Sequence, residues 1–261
     1  MSDLLFPIFR IPRDIQGLYI DSWLIGGPLG QILCKLASFL PDVSVAVSIE
    51  NLVLIAVDRF GAVVYPLRSS LISSKLCPFF ILATWIVALA ISSPKLPASK
   101  LVEDAGELVC TLHWKETFGE SSSEGDYFMS WFFPFVFIPL LLIATLYITT
   151  YVKLKSQKIP GEQSANAGQQ RQQRERNVLK MSIAIVLGFA ACMLPVAILW
   201  LLFVFVSDIW SSCGFQYFSV VAFFMARTNC AMNPCICFIF SRNYRMGLRL
   251  FLDKWLFKTT A

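Results

Sequence analysis

The chain has 261 residues, 56% of them hydrophobic and only 15% charged, where about 25% charged is usual for a globular domain. That balance excludes an ordinary soluble domain and places the chain among membrane proteins. The net charge of +5 is modest, so its distribution matters more than its sum, and no nucleic-acid partner is expected. Eight cysteines are dispersed without a CxxC zinc pattern, and His113 is the sole histidine. A histidine-based active site or metal centre is therefore disfavoured, because such centres take three or four ligands.

The start, Met1 to Pro7, carries an acid where a secretory signal would have basic residues, so no cleavable signal is expected. Residues 3–18 are apolar but too short for the ~30 Å hydrocarbon core, which takes ~20 residues. With Pro7, Arg10, Pro12 and Arg13 inside it, this stretch reads as the outer half of a helix whose inner half is missing. Full spans are expected at 32–59, 76–96, 127–153, 175–206 and 215–240, each a long apolar run. The Gly/Gln/Ser/Asn-rich stretch 156–173 lacks an apolar period and is expected to be a mobile loop. At 242–256, Tyr244, Leu248, Phe251, Leu252 and Trp255 repeat at helical spacing opposite Arg242, Arg245, Arg249 and Lys254. That pattern predicts an amphipathic helix lying on the membrane surface.

The loops alternate in charge. Segments 59–75, 153–180 and 242–258 hold fifteen Lys/Arg against four acids, counting Asp58 at the edge. Segment 95–126 holds three lysines against seven acids. Basic loops stay on the cytosolic side, so Cys34 faces outward and Arg59 inward. At 1.5 Å rise per residue the two marks lie ~37 Å apart on one helix, a full membrane thickness. The acidic outer segment favours a cationic ligand by steering.

Five motifs stand in order along these spans. Cys34 opens a run that ends at Asp58-Arg59-Phe60. Trp85 precedes Pro94 by nine residues, and Pro139 precedes Tyr147 by eight. Phe189-x-x-Cys192-Met193-Leu194-Pro195 follows, and then Asn229-x-x-x-Asn233-Pro234. In this order and spacing they resemble the third to seventh helices of a rhodopsin-class G-protein-coupled receptor, in flavour an invertebrate neuropeptide or RFamide-type receptor. The resemblance implies an all-α, seven-helix membrane bundle, here without the first helix and part of the second, and with a C-terminal surface helix. It implies a plasma-membrane receptor without chemistry of its own. A peptide agonist would bind outside and a heterotrimeric G protein inside, with lipid around the bundle.

The resemblance also assigns roles. Cys34 and Cys110, both on the oxidising face, are expected to form a disulfide that pins the acidic loop as a lid. Asp42, Arg227, Phe223 and Trp200 are expected to face the ligand, Asp42 and Arg227 from opposite sides. A private salt bridge between those two is the plain alternative for an intramembrane charge pair. Asp58, Arg59, Glu175, Tyr147, Phe189, Met193, Pro195, Asn233 and Pro234 match the activation switch, with Glu175 expected to hold Arg59 at rest. Asp3, Ser48, Asn229 and Asn233 match a sodium site, the only cofactor in view. An arginine at 227 excludes a retinal Schiff base. Pro41 stands where amine receptors carry their aspartate, with Asp42 ~100° further round the helix. The chain departs from the family with Met193 for a tryptophan, Cys237 for a tyrosine, and Phe60 for the tyrosine of the Asp-Arg-Tyr triplet. Non-signalling alternatives are a truncated receptor fragment or a decoy partner of full-length receptors. No nucleophile–base pair supports an enzyme, and no inverted repeat supports a transporter.

Overall fold

The computed structural model describes residues 4–16, 19–20, 22–65, 73, 75–156, 165–206, 209, 212–240 and 244–250. Asp3, part of the expected sodium site, lies outside them, as do 242–243 and 251–256 of the expected surface helix. Within that last segment, residues 244–250 are helical.

The described chain begins with α1 (Leu5–Gln16) and the 38-residue α2 (Gly27–Val64). Next come α3 (Cys77–Ser92) and its short continuation α4 (Lys95–Ala98). After the outer loop stand α6 (Glu124–Phe132), a π-helical segment (Phe133–Phe137) and α7 (Ile138–Ser156). The long α8 (Ala165–Phe205) and α9 (Cys213–Phe240) complete the bundle. Gly27–Val64, Cys77–Ala98, Glu124–Ser156 and Glu175–Phe205 are long and apolar enough to cross a membrane. The 28-residue α9 is long enough as well, but Arg227, Asn229 and Asn233 interrupt its apolar run and it is not among those four.

Several boundaries differ from the expected ones for identifiable reasons. α2 starts at Gly27 because Pro28 suits the first helical turn, where its missing N–H costs nothing. It stops at Tyr65 (φ −120°, ψ 63°), since the residue before Pro66 is driven out of the helical region. α8 begins ten residues before Glu175, within the stretch expected to be a loop. Its Ala, Gln and Arg residues are strong helix formers even without an apolar face. The π segment sits just before Pro139, which has no N–H for the Phe135 carbonyl, and the wider turn accommodates that gap.

The bundle is helical as expected, and its outer loop adds two short strands. The acidic outer loop folds as an antiparallel hairpin of β1 (Ser99–Asp104) and β2 (Glu107–Leu112), followed by the single-turn α5 (Trp114–Phe118). Its two-residue turn has positive φ at Ala105 (51°) and Gly106 (85°). That backbone matches the right-handed twist of paired strands, and glycine adopts it without strain.

α2 is the central post, packed against α1, α3, β1, α7 and α8. Toward its cytosolic end Ile49, Leu52 and Ala56 share a core with Ile143 and Leu154 of α7, Leu179 and Phe189 of α8, and Ile236 of α9. A second core joins Val43 and Val47 to Ala88 of α3, and a third joins Leu199 of α8 to Phe215 and Ala222 of α9. Leu82, Ile86, Leu141, Ile148, Leu187 and Val220 point away from these cores and are exposed, as lipid-facing side chains must be in a chain too apolar for water.

Candidate functional site: an outer cavity above a buried switch

A cavity of about 670 Å³ opens among the outer ends of α1, α2, α4, α6, α8 and α9, with β2 along its edge. That is the size of a typical small-ligand site. Pro41, Trp131, Phe132, Met193, Trp200 and Phe223 give it an apolar interior. All four residues assigned to the ligand from sequence, Asp42, Trp200, Phe223 and Arg227, line it. Trp200 is held by stacking on Phe128 with ring centres 5.1 Å apart, so both rings present a fixed surface.

The hairpin is fastened over this cavity at three points. Cys34 of α2 and Cys110 of β2 are joined as a disulfide, closing 76 residues. In the chain-entropy picture such a loop contributes about 4.5 kcal/mol. Gln31 of α2 clamps β1, its amide donating to the Ser99 carbonyl (3.1 Å) and accepting from the Leu101 N–H (2.8 Å). The Arg13 guanidinium of α1 donates to the Cys110 carbonyl (3.1 Å) and lies over the Trp23 ring. Further out, Lys100 and His113 both contact Glu116 (2.7 and 3.1 Å). The Lys100 hydrogen bond first, and His113 second, hold the Glu116 carboxyl below the usual carboxylate range.

The charges of the cavity pair across neighbouring helices. Asp42 and Arg227 both line the cavity, but among the described residues no ion pair joins them. Asp42 bonds Lys95 (2.6 Å), and Arg227 bonds Asp14 of α1 (2.6 Å). Each partner stands on a helix adjacent to its mate, so the shorter reach wins over the span of the cavity. Lys95 also sits over the Tyr127 ring, whose hydroxyl donates to the Ile91 carbonyl (3.3 Å). Sequence reasoning missed Arg10, Arg13, Asp14, Lys95 and Glu124 as site residues. The signal was present: Arg10, Arg13 and Asp14 at i, i+3 and i+4 share one helix face.

At the inner end, Arg59 bonds its neighbour Asp58 (2.6 Å). Among the described residues no ion pair joins Arg59 to Glu175. An adjacent carboxylate satisfies the guanidinium without bringing α8 to α2. Tyr147 and Phe189 are buried in the shared core, and Met193 and Cys237 pack against that core. Pro195 and Pro234 lie inside α8 and α9, each removing one helical hydrogen bond. Between cavity and core, Ser48 and Asn229 are buried, and the Asn229 Oδ1 has no hydrogen-bond partner among the described residues. A space of about 10 Å³ touches Asn229, Ser44 and Cys230, at the threshold for one water. Neutral oxygens of this kind suit a hard cation or a water.

Comparison with known proteins agrees with this architecture. The profile of the 7 transmembrane receptor (rhodopsin family) matches residues 1–236. The chain is 27% identical to the RYamide receptor of Drosophila melanogaster over 258 residues, covering 95% of this chain and 53% of that protein. It is 28% identical to the Substance-K receptor of Homo sapiens over 250 residues, 96% of this chain and 61% of that receptor. It is also 28% identical to the Substance-P receptor of Meriones unguiculatus over 220 residues, 84% of this chain and 53% of that receptor. The chain thus spans between half and two thirds of the length of these relatives. Multi-pass passage through the plasma membrane and the absence of catalytic chemistry follow from the family. This chain belongs to the rhodopsin family of seven-transmembrane receptors.

Proposed function

We propose that the chain binds a peptide agonist in the outer cavity and passes that event to a heterotrimeric G protein at the Asp58-Arg59 end. The observation carrying this reading is the joint placement of cavity and switch on one post. Asp42 lines the cavity, and Arg59 stands seventeen residues further along the same α2. Differential binding between two arrangements of the helices is what such a post can transmit. The named relatives are receptors for peptides, which supports the ligand class. The hairpin tip, with Glu103, Asp104 and Glu107 exposed around its turn, supports a ligand that carries positive charge at its outer end. A sodium ion or water at Ser48, Asn229 and Asn233 belongs to the same proposal and would favour the resting arrangement. The test is guanine-nucleotide exchange in membranes carrying the chain, challenged with RYamide, substance K and substance P. Dose-dependent exchange that Arg59→Ala abolishes supports the reading. Surface-expressed chain that binds a peptide without driving exchange overturns it.

A further inference from the structure

The wall of the cavity formed by α1 and α9 carries more positive charge than its acids can balance. Arg10, Arg13 and Arg227 all line the cavity. Arg10 and Arg227 share a single carboxylate, Asp14, at 3.3 and 2.6 Å. Both contacts run through Nε, and among the described residues no hydrogen bond uses the terminal nitrogens of either guanidinium. Arg13 lies within electrostatic reach of Arg10 and Asp14, yet its hydrogen bond goes to a neutral carbonyl, that of Cys110. Among the described residues of this wall, three guanidiniums stand against one carboxylate, which leaves two positive charges unbalanced there. The opposite wall differs: Asp42 and Lys95 neutralise each other, and Glu124 beside them has no ion pair among the described residues.

An excess of guanidinium in a partly desolvated cavity is costly without a counter-charge. A guanidinium fork also matches a carboxylate in two-pronged fashion. We propose that this wall is a subsite for a carboxylate of the ligand, which competes with Asp14 for Arg10 and Arg227 and engages Arg13. The ligand is then dipolar: its acid enters toward α1 and α9, its aromatic or aliphatic body lies on Trp200 and Phe223, and its cationic end stays toward Glu124 and the acidic hairpin. This inference rests on reading the cavity as the ligand cavity, but it makes a separate demand. A peptide capped as a neutral amide leaves the guanidiniums without their partner, whereas the free acid supplies it.

The test uses the purified 261-residue chain in lipid nanodiscs, with N-acetyl-tyrosine and N-acetyl-tyrosinamide as probes, read by binding and by thermal unfolding. Charged hydrogen bonds of ~1.5–3 kcal/mol translate into roughly tenfold or greater preference for the acid. Arg13→Gln and Arg227→Gln should each erode that preference. Asp14→Asn should raise affinity for the acid relative to the amide, because the competing carboxylate is gone; this gain cannot arise from misfolding. Equal binding of the two probes, or no binding of the acid, overturns the inference. So does an Asp14→Asn protein that loses acid affinity. Stabilisation by inorganic phosphate equal to that by the acid also overturns it, since a bare anion site needs no carboxylate ligand. Because the probes are read by binding alone, nucleotide exchange with amidated peptides can succeed while this inference fails, and the reverse.

Discussion

Replacing Lys95 with methionine isolates the pair that ties α4 to α2. Its side chain is 17% exposed and that of Asp42 24%, with 2.6 Å between them. Removing one partner of a fully buried pair costs about 3–5 kcal/mol, because the other charge remains desolvated. Partial exposure lets water reach Asp42 and lowers that figure to roughly 2 kcal/mol. Loss of the cation over the Tyr127 ring adds about 0.5–1 kcal/mol, so Lys95→Met should cost about 2.5–3 kcal/mol. At roughly 2–4 °C per kcal/mol for a chain of this size, the unfolding midpoint should fall by about 5–12 °C. The assay is thermal unfolding in detergent with the disulfide intact, run as a cycle with Asp42→Asn and the double variant. The double variant should recover at least half of the summed losses, since neither charge is then left alone. Losses that simply add within about 0.5 kcal/mol would refute the reasoning and reduce the contact to a surface pair.

Other expectations follow from single positions. A Cβ at Gly188 would lie 3.0 Å from Met232 Cε and 3.1 Å from Ile236 Cδ1; Gly188→Ala is absorbed by those flexible tips, whereas Gly188→Leu should cost about 1–3 kcal/mol by prising α8 from α9. Ala105 holds a positive φ of 51°, so Ala105→Gly should raise hairpin stability by about 0.5–1 kcal/mol, read as slower amide exchange at the paired residues Val102 and Val109. The depressed Glu116 carboxyl gives its tie to Lys100 and His113 a definite acid limit. A lowered folded pKa contributes stability above the unfolded carboxylate's value near 4, and that contribution is lost as pH falls through the lower folded value. Proteolysis of the 99–118 segment should therefore quicken only below about pH 4, and Glu116→Gln should remove that dependence.

Much of this fold is legible in the chain because lipid demands long uninterrupted apolar runs, and α2, α3, α7 and α8 supply them. The cavity lining at Asp42, Trp200, Phe223 and Arg227 was implied by the family resemblance, which the ordered motifs carry, and all four residues line the cavity. The hairpin was not legible. Its strands alternate weakly, and its positive-φ turn begins with an alanine, which disguises the turn. The ion pairs were not legible either, because partner choice depends on reach between helices: Lys95 and Asp14 win over longer spans by standing on adjacent elements. The inner switch shows the same effect, with Asp58 holding Arg59 by proximity. The early start of α8 reflects intrinsic propensity acting where no apolar period announces a helix.

Pro41 divides α2 into two allegiances. Above it, Gln31 and Cys34 are fastened to the hairpin; below it, Ile49 to Ala56 are gripped by α7 and α8. Pro41 itself lines the cavity and offers no N–H to the Ala37 carbonyl. The rod is thus softest where an occupant would lean on it, and the bending cost is lowest between its bolted cap and its clamped shaft.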